Sequence, residues 1–259
     1  MNKRHFSQKI ILLALCAGLT QLIGNTCSYG QALSDKEVTV ALIYTVTTPE
    51  LKQDVVREIK KELGNVKMLS YEVPEVFEEI KNTGYVTAPP AAKLIATYMK
   101  AIEAGADAIL SICSTVSDIA YSMQEAAGYL GVPIIIINEE MCREAVRKGN
   151  KIAVMATLQT AIDPTGNIIS RVAREMGKHV EITSVLVEGG FGLNSEQFRT
   201  LMAEKAKEAA DADVIVFAQG SMAYCEEYIA SLYGKPVLSN PRFGAKAVKA
   251  ALIAKGKKL

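Results

Sequence analysis

From Glu37 onward short apolar runs alternate with longer stretches whose apolar positions recur at helical spacing. Runs fall at 38–44, 67–71, 108–112, 133–137, 151–156, 181–187, 214–218 and 236–239, most of them rich in Val, Ile, Leu and Ala. Such continuous runs predict strands buried on both faces. Leu51, Val55, Ile59 and Leu63, four residues apart, predict an amphipathic helix over Pro49–Leu63. Strand and helix in alternation imply an α/β fold with mainly parallel sheets covered by helices. The longest irregular stretches, near 84–90 and 189–195, are candidate loops over a site.

The pattern also repeats. Ala106-Asp107-Ala108-Ile109-Leu110-Ser111-Ile112-Cys113-Ser114-Thr115 aligns without a gap on Ala212-Asp213-Val214-Ile215-Val216-Phe217-Ala218-Gln219-Gly220-Ser221. Each is followed by a helix and then by a Gly-x-Pro strand, Gly131-Val132-Pro133 and Gly234-Lys235-Pro236. A second match sets Ala41–Thr48 against residues 153–160, so that a strand followed by Thr-x-x-Thr occurs twice. Repeats in one order imply two similar halves. The expected division is a first domain of residues 33–137 plus 240–259 and a second of 138–239. Ligands of open parallel sheets sit beyond the carboxyl ends of the strands. Both repeated motifs fall there, which brings Cys113 and Gln219 to one ligand from opposite sides of an interdomain site.

Lys3, Arg4 and His5 precede the apolar run Ile10–Leu19, which gives way to polar residues before Leu33. This reads as an export signal over residues 1–32, with Gly30-Gln31-Ala32 placing cleavage after Ala32 and the chain in the periplasm. If that reading fails, the location is cytoplasmic. An uncleaved anchor is the alternative, but the run is shorter than the ~20 residues a span needs. Cys16 follows Leu15, a poor context for lipidation. With 49% hydrophobic and 22% charged residues the chain can bury a substantial core. A net charge of +1, with both signs mixed along the chain, excludes a nucleic-acid footprint. Cys113, Cys142 and Cys225 remain after cleavage, an odd and widely spaced set that forms no disulfide framework. The absence of Cys-x-x-Cys, with His179 the only histidine left, argues against a zinc site. Nor is there a phosphate-binding glycine motif, so no cofactor is expected.

Cys113 follows a buried strand and precedes a helix predicted over residues 116–129, where a helix N-terminus favours thiolate. That position suits a base or a nucleophile; a buried structural cysteine is the plain alternative. Ser114, Thr115, Gly220 and Ser221 offer hydroxyls and backbone N–H groups to a carboxylate. Thr45 and Thr157 stand first beyond their strands and add donors, whereas Thr48 and Thr160 read equally well as helix caps. Cys142 lies near the crossing between halves and reads as structural, and Cys225, six residues past Gln219, lies too far along its helix to replace a thiol at the strand tip.

Cys113-Ser114-Thr115 after Leu110-Ser111-Ile112 resembles the first cysteine motif of aspartate/glutamate racemases, hydantoin racemases and maleate isomerases. Ala156-Thr157-Leu158-Gln159-Thr160 is similar to that superfamily's Ala-Thr-x-x-Thr turn. The resemblance covers nearly all of the chain after residue 32. It implies two pseudo-symmetric flavodoxin-like domains, cofactor-independent chemistry on a small carboxylate or amino acid with Cys113 as catalytic residue, and a homodimer. In racemases of this kind one cysteine thiolate removes the α-proton and a thiol on the opposite face returns one. The second thiol's position holds Gln219, and an amide is no base at neutral pH. Gln219 can still hydrogen-bond a carboxylate or an enolate oxygen. A one-cysteine decarboxylase or lyase and a non-catalytic exported binding protein therefore stand beside the racemase reading. Export itself is in tension with catalysis, because a free catalytic thiol is unusual in an oxidising compartment.

Overall fold

The structure, a computed structural model, describes residues 37–259. The export signal expected over residues 1–32, with Cys16 and the cleavage point after Ala32, lies outside them. The first half runs β1 (Thr39–Tyr44), α1 (Pro49–Leu63), β2 (Lys67–Glu72), α2 (Pro74–Thr83), α3 (Ala88–Glu103), β3 (Ala108–Ile112), α4 (Ser117–Ser122), α5 (Gln124–Leu130) and β4 (Ile134–Ile136). The second continues through α6 (Glu139–Lys148), β5 (Lys151–Ala156), α7 (Gln159–Glu175), β6 (Glu181–Leu186), α8 (Ser195–Lys205), β7 (Val214–Phe217), α9 (Glu226–Tyr233) and β8 (Val237–Ser239), after which α10 (Asn240–Ala254) closes the chain. Every strand pairing is parallel, and the two sheets have the same order, β2-β1-β3-β4 and β6-β5-β7-β8. The expected α/β architecture of two similar parallel sheets is therefore what the chain adopts. No helix among the described residues is long and apolar enough to cross a membrane.

Repeated residues make repeated bonds. Asp107 donates its N–H to Thr39 O at 2.7 Å while its Oδ2 accepts from Thr39 N at 2.9 Å. Asp213 does the same with Lys151, at 2.8 and 2.9 Å. Pro133 O and Pro236 O each accept from the neighbouring strand, from Ile109 N and Ile215 N, both at 2.9 Å. These contacts fix the same strand register in both halves, and hence where each strand tip ends.

The central strands β1, β3 and β7 are buried along their whole length, so both faces of each sheet must be covered. On one face of the first sheet Val40, Leu42 and Leu110 pack with Leu51, Val55 and Ile59 of α1 and with Val248 and Leu252 of α10. The chain thus returns at its end to the first sheet. Residues of both halves, including Ile43, Ile109, Met141, Val154, Ile169 and Val216, share another cluster. Each fully buried side chain of this size contributes roughly 1.5–3 kcal/mol, which holds the two sets of strand tips in a fixed relation.

Two local expectations differ from the structure. The helix predicted over 116–129 is a 3₁₀ turn, Ser114–Val116, followed by the short α4 and α5. The Ser117 hydroxyl takes the Ser114 carbonyl at 2.7 Å, a local bond that competes with a regular helical start. The second half likewise places a 3₁₀ turn, Gly220–Cys225, before α9. The loop expected near 84–90 is shorter, because α3 begins at Ala88. Pro89 and Pro90 sit in its first turn, where a missing N–H costs no intrahelical bond.

Asp107 also gives a pH-dependent term. Burial pushes its carboxyl up, but the Lys257 ammonium at 2.6 Å and the Thr39 N–H outweigh burial and hold it below the ordinary value. A depressed carboxyl stabilises the fold above its unfolded pKa of about 3.9, and the contribution is lost as the pH falls through the folded value. Asp107→Asn is therefore expected to lower Tm at pH 6 and to approach the wild-type Tm as the pH falls through the folded value. A Tm difference that does not narrow on acidification would contradict this origin.

Candidate active site

The last β1–β3 pair is Tyr44 with Ile112, so Thr45 and Cys113 leave the first sheet side by side. In the second sheet Met155 pairs with Phe217, and Thr157 and Gln219 follow at the corresponding place. A small cavity of about 90 Å³ lies between the two sets of tips. Cys113, Ser114 and Thr115 line it from the first half, and Gln219, Gly220 and Ser221 from the second. Six of the eight expected site residues thus meet at one cavity, while Thr45 and Thr157 lie off its wall. A larger hollow of about 470 Å³ follows the free edge of β4; it is lined by Gly131 and Pro133 of the Gly-x-Pro return but by none of the eight expected site residues.

Several side chains here are already engaged. Gln219 Oε1 accepts from Thr157 N at 2.6 Å and from Thr157 Oγ1 at 2.9 Å, so Thr157 holds the Gln219 side chain. The Ser114 hydroxyl donates to Ala218 O, tying the Cys113 turn to the opposite strand tip. Asn240 Nδ2 donates to the same carbonyl at 3.2 Å. Thr48 caps α1 through Leu51 N at 3.2 Å and also lines the cavity. The Oγ1 of Thr45, a residue only 2% exposed, has no partner among the described residues. Beneath Cys113, Tyr98 OH and Ser111 Oγ lie 2.8 Å apart. Burial is the main cause that pushes the Tyr98 phenol up, and the neighbouring Cys113 adds to it, so Tyr98 stays protonated.

A buried chain of hydrogen bonds sets the Cys113 turn. Ser117 Oγ also reaches Asn138 Oδ1 at 3.2 Å, Asn138 Nδ2 donates to Thr165 Oγ1 at 3.1 Å, and Thr165 Oγ1 to Ala161 O at 2.8 Å. First-half turn and second-half helix α7 are thereby joined.

The structure adds residues that the sequence alone did not single out. Asn240 is 1% exposed, lines the cavity, and its Oδ1 has no partner among the described residues. Its counterpart in the first half is Ile137, also on the cavity wall, because Ile136 and Ser239 hold equivalent places in β4 and β8. Extending the Gly-x-Pro comparison to the strand tip would have exposed that change from apolar to amide. Phe191, on the loop between β6 and α8, and Phe77 of α2 complete an apolar wall, their ring centroids 6.2 Å apart. The loop expected near 189–195 thus supplies a wall of the cavity. Gly220 is closely packed: a β-carbon there would lie 2.7 Å from Leu51 Cδ1 and 2.9 Å from Asn240 Oδ1, so the ends of both side chains would have to shift.

The other thiols are remote from this chemistry. Cys142 and Cys225 are fully buried and line no part of the cavity. Burial pushes both thiols up, with Glu139 adding to the effect on Cys142. Among the described residues no cluster of His, Cys, Asp and Glu could hold a metal ion.

Residues 40–248 match the family described as Asp/Glu/Hydantoin racemase. The chain belongs to this family. Membership places it among racemase-type enzymes. No curated protein matches the chain by sequence. Among solved structures, a glutamate racemase isoform from Bacillus anthracis is similar at TM-score 0.65 and 15% identity, over 85% of this chain and 83% of that one. An allantoin racemase from Klebsiella pneumoniae is similar at TM-score 0.60 and 17% identity, over 85% and 89%. A glutamate racemase from Francisella tularensis, solved with D-glutamate, is similar at TM-score 0.60 and 14% identity, over 85% and 82%. At these identities the likeness is one of fold.

Proposed function

We propose that the protein is a cofactor-independent enzyme in which the Cys113 thiolate removes the proton α to the carboxylate of a small substrate held between the two sets of strand tips. The observation that carries this reading is the convergence of Cys113-Ser114-Thr115 and Gln219-Gly220-Ser221 on one cavity in a member of a racemase family. Neutral donors hold the carboxylate: the Gln219 amide, the hydroxyls of Thr115 and Ser221, and the backbone N–H groups of the two turns. Thr45, next to Cys113 at the strand tips, offers its unpartnered hydroxyl to the thiolate.

The walls narrow the substrate class. Leu51, Phe77, Ile112, Ile137 and Phe191 are apolar, and no charged side chain among the described residues lines the cavity. A second carboxylate, such as the side chain of aspartate or glutamate, would be buried there without a counter-charge, at a large desolvation cost. A substrate with one carboxylate and an apolar side group fits better. The open acceptor of Asn240 suits an N–H on that substrate. The export signal read in residues 1–32 would place this activity in the periplasm.

The decisive experiment is proton NMR in D₂O with D- and L-phenylalanine, D- and L-aspartate, D- and L-glutamate, maleate and phenylmalonate, beside a Cys113→Ala control. Loss of an α-proton signal, isomerisation or decarboxylation that requires Cys113 is expected, with phenylalanine, which carries a single carboxylate, ahead of aspartate and glutamate. Turnover of none of them would favour capture of a small carboxylate without catalysis, the reading to which the missing second thiol points.

A further inference from the structure

We infer that proton transfer in this cavity is confined to one face of the substrate, with Gln219 serving as a fixed amide donor to the enediolate oxygen and not as a second acid or base. The inference rests on the role proposed for Cys113 and specifies the stereochemical outcome. Its first support is the orientation of the amide. The Thr157 backbone N–H can only donate, so the Gln219 atom it meets at 2.6 Å is the carbonyl oxygen, and the Thr157 hydroxyl, 2.9 Å from that same oxygen, reinforces the assignment. The amide nitrogen is therefore turned away from Thr157, on a side chain that lines the cavity, with two N–H groups to offer. Gly220 has no side chain to block their approach, and Ser114 and Asn240 pin the Ala218 carbonyl just before Gln219. This is a preorganised donor for developing negative charge on oxygen.

The second support is the inventory of acids and bases. Apart from Cys113, the described residues that line the cavity offer hydroxyls, amides and hydrocarbon, with no carboxylate, imidazole, ammonium or phenol. Hydroxyls and amides are too weak as acids and bases to take or give the α-proton near neutral pH. Cys142 and Cys225 lie elsewhere in the core. The step balances with one thiol. The Cys113 sulfur takes the α-proton as an S–H bond forms, and the C–H electron pair moves into the carboxylate to give an enediolate whose oxygen the Gln219 amide stabilises. The reverse step returns a proton, or a deuteron after exchange with solvent, from the same sulfur to the same face of the same carbon. No oxidant, reductant or co-reactant is consumed.

Incubation of the full chain in D₂O with each pure enantiomer of phenylalanine and of glutamate, followed by NMR and by chiral chromatography, separates the outcomes. The expected result is deuterium incorporation at Cα of one enantiomer with configuration retained and no antipode formed. Gln219→Cys is expected to make the antipode appear, because it supplies the missing thiol on the second face. Gln219→Glu is expected to slow exchange by roughly 10²-fold or more, since a carboxylate faces the enediolate where a donor stood. Formation of the antipode by the wild-type protein as fast as deuterium enters would overturn the inference while leaving the role of Cys113 intact. Absence of exchange with every enantiomer would remove both.

Discussion

Cys113→Ala is expected to reduce substrate-dependent α-proton exchange by about 10²–10⁴-fold, the usual contribution of a positioned acid or base. The cavity has no second group to take over: Gln219 is an amide whose oxygen is already occupied by Thr157, and Thr115 and Ser221 carry hydroxyls. The loss is a loss of chemistry and not of fold. Cys113 is partly exposed, and the turn that bears it is held by Ser114 on Ala218 O and by Ser117 on Ser114 O, none of which involves the thiol. The stability cost is about 1 kcal/mol, typical of a single substitution. Cys113→Ser is expected to fail nearly as completely, because a hydroxyl of the same shape is a far poorer proton acceptor. Full exchange by either variant, on a substrate that the wild-type protein turns over, would transfer the role of base to another residue.

The strands and their pairing into two like halves are legible in the chain because parallel strands buried on both faces leave continuous apolar runs. The Ala-Asp starts and Gly-x-Pro returns are legible for the same kind of reason, since Asp107 and Asp213 make identical backbone bonds. The encounter of Cys113 with Gln219 follows from that repeat. What the sequence hides are features set by side-chain competition or by three-dimensional register. The 3₁₀ turn after Cys113 depends on which carbonyl the Ser117 hydroxyl takes, and Pro89 and Pro90, read as loop residues, open a helix. The lock of Thr157 on Gln219 becomes visible only when β5 and β7 are aligned in space. Asn240 and Phe191 reach the cavity from a strand tip and a loop whose sequences carry no motif. A change of residue type at paired tips, Ile137 against Asn240, marks where the pseudo-symmetry of the two halves breaks on the cavity wall.

The same repeat identifies the most sensitive point in the framework. Gly149 closes the turn from α6 into β5 with φ −170° and ψ 173°, extended backbone that any residue can adopt, so conformation is not what requires glycine here. Space is. A β-carbon at Gly149 would lie 2.3 Å from Asp213 Cβ and 2.8 Å from Asp213 Oδ2. Asp213 cannot step aside cheaply, because its Oδ2 accepts from Asn150 N at 2.8 Å and from Lys151 N at 2.9 Å while its own N–H is held by Lys151 O. Those bonds are also the main reason its carboxyl is held below the ordinary value. Gly149→Ala must move backbone or break the bonds at the start of both β5 and β7, with a cost of about 3 kcal/mol, the upper end for overpacking. For a chain of this size that corresponds to a fall in Tm of roughly 6–12 °C, measurable by calorimetry or circular dichroism. Below its own Tm the variant should retain exchange activity, since β5 and β7 carry Thr157 and Gln219 at their far ends. An unchanged Tm would mean that the Asp213 clasp yields at little cost and does not set the register of the second sheet.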